Sequence, residues 1–252
     1  MTGFDLTGRV AIVTGSGRGL GKAMAQGLME AGAKLTVCAR TAEQVQATAA
    51  AFRAAGGDVL EVVFDATRRD DCRRLVADTV AHYGRLDVML ANHGGGANQS
   101  AIDTDDDTWR RVIDQNLNSA FMVCQEAARQ MIRQGTGGSI IVTSSTSSIR
   151  SFAGLMAYGA AKGGVDQMVR QMADEWGPHG IRVNALNPGY TTHRRRGYDP
   201  QSEGVKAENR HTPLGRSGRP EEFAGPAVFL ASDASSYITG HSLIIDGGYA
   251  VR

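Results

Sequence analysis

The chain has 252 residues, of which 32 are glycine and 6 are proline, and its 27 basic and 26 acidic residues leave a formal net charge of +1. Glycine exceeds its usual share of about 7 %, but proline and charge are ordinary, which excludes collagen, disorder and a coiled coil. The balanced charge gives no electrostatic case for nucleic acid or an anionic membrane as a partner, so a small molecule is the expected ligand.

The cysteines and the N-terminal residues indicate the cellular compartment of the protein. Cys38, Cys72 and Cys124 are scattered, without the spacing of a zinc site, so we expect reduced thiols and no bound metal. The N-terminus lacks the basic and apolar regions of a secretion signal, and no apolar run approaches the ~18 residues needed to span a bilayer. These features predict a cytoplasmic protein.

Short β-branched runs alternate with longer helical patterns from one end of the chain to the other. The runs are apolar on both faces, as strands buried in a parallel sheet must be. Seven strands are predicted: Val10 to Val13, Leu35 to Ala39, Val59 to Phe64, Leu86 to Leu90, Ser139 to Val142, Ile181 to Ala185 and Ser242 to Ile245. Alternating strands and helices joined by right-handed crossovers predict one α/β domain over residues 1–252, with a doubly wound parallel sheet and helices on both faces.

Several helix ends can be predicted from capping residues. The helical pattern from Leu20 to Ala31 stops at Gly32, a favoured residue after a helix. Thr67-x-x-Asp70 and Thr104-x-x-Asp107 have the spacing of capping boxes that open two further helices. Arg219-Pro220 places a proline in the first turn of another helix.

One long region, residues 190–219, has no regular period and is rich in Arg, Gly, Pro and Ser. Long loops in compact domains are usually functional or disordered. We expect this segment to be a lid that covers the substrate.

A glycine-rich turn follows the first predicted strand. It has the pattern T-G-x-x-x-G-x-G, whose glycines are Gly15, Gly19 and Gly21. The backbone N–H groups and dipole of the following helix attract a pyrophosphate, and side chains at these positions would block its approach. The turn therefore predicts a dinucleotide site, the alternative being a purely structural turn.

The end of the second strand indicates which dinucleotide is bound. An acidic residue there usually holds the ribose 2′-hydroxyl of NAD, but the sequence has Ala39-Arg40-Thr41. Arg40 and Arg18 can grip a 2′-phosphate through charge-assisted hydrogen bonds. We expect NADP(H) rather than NAD(H); the alternative is that both arginines are solvated surface residues.

Four polar residues have the spacing expected of a catalytic group beside such a cofactor. Tyr158 and Lys162 lie four residues apart at the start of a predicted helix, so their side chains share one face. Ser145 ends the fifth strand, and Asn116 lies in the preceding helical region. Each residue alone has an ordinary structural explanation, but their joint spacing is specific.

These motifs occur in a fixed order along almost the whole chain. The order is the glycine turn, Asn92-x-Gly94, Asn116, Ser145, Tyr158-x-x-x-Lys162, Asn187-Pro188-Gly189 and Asp246-Gly247-Gly248. With them, the sequence resembles the short-chain dehydrogenase/reductase family. The resemblance implies a Rossmann fold and an oxidoreductase that moves a hydride between a nicotinamide and a carbonyl carbon.

The resemblance also implies a role for each catalytic residue. Tyr158 is expected to be the general acid/base, Lys162 to lower its pKa and hold the nicotinamide ribose, and Ser145 to orient the substrate oxygen. Asn116 is expected to anchor a water of the proton relay. Chemistry supports the pairing of Tyr158 with Lys162, because moving a phenol pKa from about 10 to about 7 needs ~4 kcal/mol of preference for the phenolate. An exposed ion pair supplies only ~0–1 kcal/mol, so we expect a desolvated Lys162.

Further cofactor contacts are implied by the resemblance. The backbone of the turn is expected to hold the pyrophosphate, Asp65 to accept from the adenine amino group beside Ala66, and the backbone near Thr191 to meet the nicotinamide carboxamide. The expected cofactor residues are Gly15, Arg18, Gly19, Leu20, Gly21, Arg40, Asp65, Ala66, Asn92, Gly94, Tyr158, Lys162, Pro188, Gly189 and Thr191. Homo-oligomers are usual in the family, so we expect a tetramer or dimer that pairs the helices predicted at Asn116 to Met131 and Leu155 to Trp176.

The sequence departs from the family pattern at two places. The fourth strand leads into Ala91-Asn92-His93-Gly94, where the family usually has Asn-Asn-Ala-Gly. His93 could touch the cofactor or titrate near the substrate, or it could be a loop histidine satisfied by the backbone. His193 stands where the family often has a threonine, a contact that Thr191 or Thr192 can replace.

The substrate is expected beyond the carboxyl ends of the strands, among Gly94-Gly95-Gly96, Thr146 to Arg150 and the lid. Arg150 and the run Arg194-Arg195-Arg196 could pair with a carboxylate or phosphate, although such a run is more often a solvated loop face. We expect an anionic or polyhydroxylated carbonyl compound, such as a keto-sugar acid or a 3-oxoacyl thioester.

Other functions fit parts of the pattern. They are an NAD-linked alcohol dehydrogenase of the same fold, a regulator that binds NADP without catalysis, and a nucleotide-fold methyltransferase. The presence of both Tyr158 and Lys162 argues against the regulator. The absence of an acid after the second strand argues against the methyltransferase.

Overall fold

A single parallel sheet forms the centre of the molecule in a computed structural model that describes residues 2–96, 98–192 and 199–251. Its strand order is β3-β2-β1-β4-β5-β6-β7, and every neighbouring pair is parallel. The strands are β1 Val10–Thr14, β2 Lys34–Ala39, β3 Val59–Val63, β4 Val88–Ala91, β5 Gly138–Thr143, β6 Ile181–Pro188 and β7 Ser242–Ile245. The order reverses between β1 and β4, so the predicted doubly wound Rossmann sheet of seven strands is confirmed.

Helices cover both faces of this sheet. Those in the described ranges are α1 Gly19–Glu30, α2 Ala42–Ala54, α3 Arg69–Tyr83, α4 Asp106–Ile113, α5 Ser119–Gln134, α6 Met156–Trp176, α7 Glu203–His211 and α8 Ala224–Ala231. Alternation along β1 separates two cores, because Ala11 and Val13 pack with α1, α2 and α8 while Ile12 packs with α3, α5 and α6. In the ranges given above, no helix combines the length and apolarity needed to cross a membrane.

Burial on both faces holds for the inner strands but not for the two edge strands. All residues of β1 and β4 are buried. Val63 of β3 is 47 % exposed and Ile244 of β7 is 43 % exposed. Each edge strand has a neighbour on one side only, so the helix layers do not close over it.

The first predicted capping box is wrong. Helix α3 begins one residue later than Thr67 would place it, and its start has no side-chain cap. The Thr67 hydroxyl donates to Asp65 Oδ1 at 2.8 Å. A nearby carboxylate in the preceding turn therefore outcompetes the helix N-terminus for this hydroxyl.

The second predicted capping box is wrong for a similar reason. The Thr104 hydroxyl donates to the carbonyl of Ser100 at 2.7 Å. The cap of α4 is instead Asp105, which accepts from the backbone N–H of Thr108 at 2.7 Å. An aspartate is as good a cap as a threonine, so the local pattern could not separate the two registers.

The segment 190–219 contains a helix that the sequence pattern did not predict. Ser202 caps α7, whose buried side chain is Val205. A short helix with one buried apolar residue leaves little periodicity to detect. The ends of the segment are tied together, because Gly218 N donates to Tyr190 O at 2.9 Å and Thr192 N donates to Gly218 O at 3.0 Å. His193 and the run Arg194 to Arg196 lie outside the described residues.

Candidate active site

The glycine turn leads from β1 into α1 and keeps its backbone open. Gly15 and Gly19 have φ values of 66° and 56°, a left-handed conformation that favours glycine. Gly21 packs against the carbonyl of Gly15 and the side-chain amide of Asn92, and a β-carbon there would collide with both. The N–H groups of the first turn of α1 can therefore be approached closely by an anion.

Ser16 and Leu20 hold this turn on the sheet. Ser16 Oγ accepts from the backbone N–H of Cys38 at 2.9 Å, which fastens the turn to the end of β2. The side chain of Leu20 is buried in the core between sheet and helix. A ligand can therefore meet Leu20 only through its backbone.

Two arginines flank the turn on its outer side. Arg18 immediately precedes α1, and Arg40 follows β2, and both side chains are exposed. Neither forms a hydrogen bond or an ion pair with any residue in the described ranges. Ala39 and Thr41 flank Arg40, so no carboxylate follows β2 directly.

Asp65 and Ala66 follow β3 at the same edge of the sheet. Asp65 Oδ1 accepts from the backbone N–H and the hydroxyl of Thr67 at 3.0 and 2.8 Å. Its own N–H donates to Asp71 Oδ2 at 3.0 Å, which fixes the turn. Ala66 is buried beside it.

Asn92 links three strand ends. Its N–H donates to Thr14 Oγ1 at 2.9 Å, its side-chain amide donates to Gly15 O at 3.5 Å, and its Oδ1 accepts from Thr143 Oγ1 at 3.2 Å. The residue therefore joins the glycine turn to the ends of β4 and β5.

His93 is satisfied by side-chain hydroxyls. Its Nδ1 lies 2.7 Å from Thr14 Oγ1, and its Nε2 lies 2.9 Å from Ser119 Oγ. Thr14 Oγ1 already accepts from the N–H groups of Asn92 and His93, so its proton is available to Nδ1, and Nε2 then carries the ring proton. Burial, together with the positive charge of Lys162, lowers the pKa of His93 to about 3. The ring is therefore a neutral structural bridge between β1 and α5.

Asn116 lies in a π-helical turn, Asp114–Asn118, between α4 and α5. Its Nδ2 donates to the carbonyls of Gly95 and Val112 at 2.5 and 2.8 Å, and its Oδ1 accepts from Gly95 N at 3.2 Å. Gly94 lies so close that a β-carbon on it would come within 2.6 Å of Asn116 Oδ1. Asn116 thus clamps the glycine loop after β4, with one lone pair of Oδ1 left for a further donor.

Tyr158 and Lys162 lie together on the buried face of α6. Tyr158 is 7 % exposed and Lys162 is 4 % exposed. The Lys162 ammonium donates to the carbonyl of Thr143 at 2.8 Å and lies 5.6 Å from the centre of the Tyr158 ring. The predicted desolvated ammonium is thus found beside the predicted phenol.

Ser145 lies two residues beyond the end of β5 and caps a short 3₁₀ turn, Thr146–Ser148. It is almost fully buried. Its Oγ accepts from Ser147 N at 3.1 Å and lies 3.2 Å from Ser147 Oγ. The hydroxyl proton can turn from Ser147 to another acceptor without loss of the backbone contact.

Asn187 and Asp166, to which the sequence assigned no role, form a hydrogen-bonded pair, and Asn187 contacts the backbone of Ser145. Asn187 Nδ2 lies 2.9 Å from Asp166 Oδ2, 3.0 Å from Ser148 Oγ and 3.3 Å from Ser145 O. The Ser148 hydroxyl donates to the same Ser145 carbonyl at 2.8 Å. Asp166 lies one turn after Lys162 on the same face of α6, so the four-residue spacing that continues from Tyr158 could have revealed it.

Pro188 ends β6, and Gly189 and Thr191 follow it. Gly189 packs against Asp246, where a β-carbon would come within 2.6 Å of the aspartate Cβ. Thr191 pairs with Gly218 in a parallel bridge that uses the carbonyl of residue 190 and the N–H of residue 192. The N–H and carbonyl of Thr191 therefore face away from Gly218, and its buried Oγ1 has no partner in the described ranges.

These features fit a dinucleotide. Four features lie at the carboxyl ends of the strands around the β1/β4 switch point. They are the glycine turn, the first turn of α1, the two arginines that flank the turn, and the open backbone at Thr191. The described residues contain no group of three metal-ligating side chains. Cys38, Cys72 and Cys124 are buried free thiols.

Comparison with known proteins identifies the family of the chain. The family model described as enoyl-(acyl carrier protein) reductase matches residues 15–250. The chain belongs to the short-chain dehydrogenase/reductase family. Members of this family are oxidoreductases that use a nicotinamide cofactor, so the chain is an oxidoreductase enzyme. A regulator without catalysis and a methyltransferase are thereby set aside.

Relatives from three organisms illustrate the range within the family. The chain is 37 % identical to 2-dehydro-3-deoxy-D-gluconate 5-dehydrogenase of Pseudoalteromonas atlantica, over 99 % of this chain and 98 % of that protein. It is 35 % identical to an NAD-dependent glycerol dehydrogenase of Listeria innocua, over 99 % and 96 %. The solved structure of a gluconate 5-dehydrogenase from Burkholderia cenocepacia, in complex with NADP and tartrate, has a TM-score of 0.93 at 34 % identity and covers 99 % and 98 % of the two chains.

Proposed function

We propose that this enzyme is an NADP(H)-dependent oxidoreductase that interconverts a secondary alcohol and a carbonyl in a sugar acid, with Tyr158 as general acid/base. The observation that carries the proposal is the buried Lys162 ammonium 5.6 Å from the Tyr158 ring. A positive charge that is excluded from water stabilises a neighbouring phenolate far more than a solvent-exposed positive charge does.

The proton path follows from the position of these groups. In the oxidation direction the substrate hydroxyl gives its proton to the Tyr158 phenolate, and the hydride leaves the same carbon. Lys162 and the backbone near Thr191 would hold a nicotinamide, which would supply the hydride acceptor and, in its reduced form, the hydride donor. In the reduction direction the Tyr158 hydroxyl protonates the alkoxide, which balances the reaction.

Ser145 and Asn116 support this step from either side. The Ser145 hydroxyl proton can turn to the substrate oxygen while Ser147 N keeps its contact with Oγ. The free lone pair of Asn116 Oδ1 can hold a water between Lys162 and solvent, since Gly94 packs against both residues. Proton exchange with solvent then needs no movement of the backbone.

Cofactor preference is proposed from the two exposed arginines. Arg40 and Arg18 are without acidic partners in the described ranges and stand where a 2′-phosphate would lie. The structure of the Burkholderia relative is a complex with NADP, whereas the Listeria relative is named as an NAD-dependent enzyme. The residues of this chain favour NADP(H).

The substrate class is proposed from the relatives. Their names include 2-dehydro-3-deoxy-D-gluconate 5-dehydrogenase and gluconate 5-dehydrogenase, which act on sugar acids. Of the two compound classes expected from the sequence, the keto-sugar acid has this support. The description of the family model refers to an acyl thioester, but the names of these individual relatives refer to sugar acids.

The lid and the assembly are part of the same proposal. Hydrogen bonds at Gly218 tie the two ends of the segment 190–219 together, and we propose that this segment covers the substrate. The outer faces of α5 and α6 form a shallow groove in which Phe121 and Ile132 are exposed. We propose that the chain assembles into a homodimer or homotetramer through this surface. Light scattering of the wild type and of Ile132→Asp tests this, and equal masses as monomers would exclude it. A cytoplasmic location suits the free thiols.

The test is an activity screen in which absorbance of the reduced nicotinamide is followed with each coenzyme. The panel contains sugar acids, their neutral polyol and ketose counterparts, 3-oxoacyl thioesters, apolar ketones and steroids. We expect the highest kcat/KM for a sugar acid with NADP(H). Activity confined to apolar ketones or steroids would contradict the proposed substrate class.

A further inference from the structure

We propose that Arg150 binds the carboxylate of the substrate; the inference rests on the proposed function and names the residue that selects an anionic substrate. Five arginines in the described ranges are half-buried: Arg9, Arg69, Arg85, Arg150 and Arg182. Four of them have hydrogen bonds or ion pairs to carboxylates, amides or backbone carbonyls. Within those ranges the guanidinium of Arg150 has neither.

Arg150 contacts one ring of a cluster of three aromatic side chains. Its guanidinium carbon lies 5.5 Å from the centre of the Tyr249 ring. Tyr249 stacks on Phe152 at 5.6 Å and meets Tyr190 edge-on at 5.2 Å, and Phe152 and Tyr190 are 5.8 Å apart. A ring face attracts the cation but supplies no acceptor for its N–H groups. The charge is partly withdrawn from water and still requires an acceptor.

Asp246 does not supply the acceptor. Asp246 precedes the turn that carries Tyr249, and its two oxygens accept from Gly248 N at 2.8 Å and Ala250 N at 2.7 Å. Its carboxylate therefore fixes the turn and the Tyr249 ring. A bound ligand can therefore supply an acceptor to the Arg150 guanidinium in place of water.

The position of Arg150 places that acceptor in the substrate. Arg150 N donates to the Thr146 carbonyl at 2.8 Å, so the residue closes the short turn that begins at Ser145. Tyr190 follows Gly189 at the end of β6, and Tyr249 follows β7. The guanidinium thus lies on the β7 side of the catalytic serine, at the ligand-binding edge of the sheet.

A carboxylate is the group that this arrangement suits. A guanidinium fixed by a ring keeps its planar fork of N–H donors free for two parallel bonds to one carboxylate. A sugar acid has such a group several carbons away from its reacting hydroxyl. A neutral polyol of the same length would leave the guanidinium without an acceptor.

The experiment compares D-gluconate with D-glucitol, its neutral counterpart, on the NADP-loaded wild type, Arg150→Gln and Arg150→Lys. Arg133→Gln is the control, because Arg133 is an exposed arginine at the opposite end of the sheet. We expect Arg150→Gln to raise the KM and calorimetric Kd for gluconate ~10-fold or more, since hydrogen bonds to charged groups have this magnitude. The Kd for NADP and the kinetics with glucitol should stay within ~2-fold, and Arg150→Lys should restore part of the affinity.

The outcomes separate the inference from the proposed function. If the wild type oxidises gluconate and Arg150→Gln has the same KM, the inference is overturned and the proposed function stands. If the wild type acts only on neutral carbonyl compounds, both the sugar-acid substrate and the role of Arg150 are overturned. An equal rise of KM for gluconate and glucitol also overturns the inference, because it shows a general disturbance of the pocket.

Discussion

The two sides of the sheet hold their functional groups in different ways. On the β1–β3 side, the glycine turn presents backbone, and its arginines project into solvent without partners in the described ranges. On the β4–β6 side, Asn116, Ser145 and Lys162 are buried, and each is hydrogen-bonded to the backbone. The proposed roles of the two sides account for this difference. Backbone N–H groups suffice to bind the pyrophosphate of a cofactor, whereas proton transfer requires side chains held in fixed positions.

The largest expected effect comes from a substitution in the glycine turn, on the β1–β3 side of the sheet. Gly21→Ala places a β-carbon against the carbonyl of Gly15 and the amide of Asn92. We expect loss of measurable NADP binding and a fall of ~1–3 kcal/mol in the free energy of unfolding, as for other overpacked sites. Fluorescence titration and urea unfolding measure both.

Gly225→Ala is the matched control, because Gly225 lies on α8 with open space around it. It should bind NADP as the wild type does and gain up to ~1 kcal/mol in stability. If Gly21→Ala bound NADP as tightly as Gly225→Ala, the cradle would not be the pyrophosphate site.

The next effect concerns the exposed arginines on the same side. Arg40→Asp should weaken NADP binding ~10–100-fold, the usual worth of a hydrogen bond to a charged group. Its affinity for NAD should be unchanged or higher, because an acid can hold the ribose 2′-hydroxyl. Isothermal titration with both coenzymes decides, and a wild type that binds NAD as tightly as NADP would overturn the preference.

A smaller effect is expected from the buried network on the catalytic side. Asn187→Leu removes the contacts to Asp166, Ser148 and the carbonyl of Ser145. We expect kcat to fall ~10-fold through misplacement of Ser145, with an unchanged Kd for NADP.

Asp166→Asn is the matched variant for this network. It keeps a carbonyl acceptor for Asn187, so its kcat should stay within ~2-fold of the wild type. Equal losses in both variants, or loss of NADP affinity with Asn187→Leu, would show that the network supports the fold and not the serine.

The smallest effect is a pH dependence of stability. His93 has a pKa of about 3 in the folded protein, held down by burial, against about 6.5 in the unfolded chain. The unfolded state therefore binds the extra proton as pH falls below about 6.5, so the histidine lowers stability progressively from there toward pH 3. His93→Gln should lose less stability than the wild type over this window in thermal unfolding. Parallel curves for the two proteins would contradict the neutral bridge between Thr14 and Ser119.

The contrast between the two sides also explains what the sequence could predict. The seven strands have a strong apolar period, and the glycine spacing requires a particular backbone, so both were predicted correctly. The partners of Asn116, the Asp166–Asn187 pair and the ring contact of Arg150 depend on distant residues that only the fold brings together. The predictions of Thr67 and Thr104 as helix caps were wrong because nearby oxygen atoms compete for their hydroxyl groups. The local sequence pattern does not show which partner each hydroxyl prefers.

The central claim is tested most directly by Tyr158→Phe, with Tyr237→Phe, a fully exposed tyrosine, as the control. The variant and the wild type are compared for NADP affinity and for turnover of the best substrate from the screen. We predict an unchanged Kd for NADP and a kcat reduced by ~10²–10⁴-fold, the usual contribution of a general acid/base, while Tyr237→Phe stays at the wild-type rate. Turnover by Tyr158→Phe close to that of the wild type would contradict the proposed proton transfer.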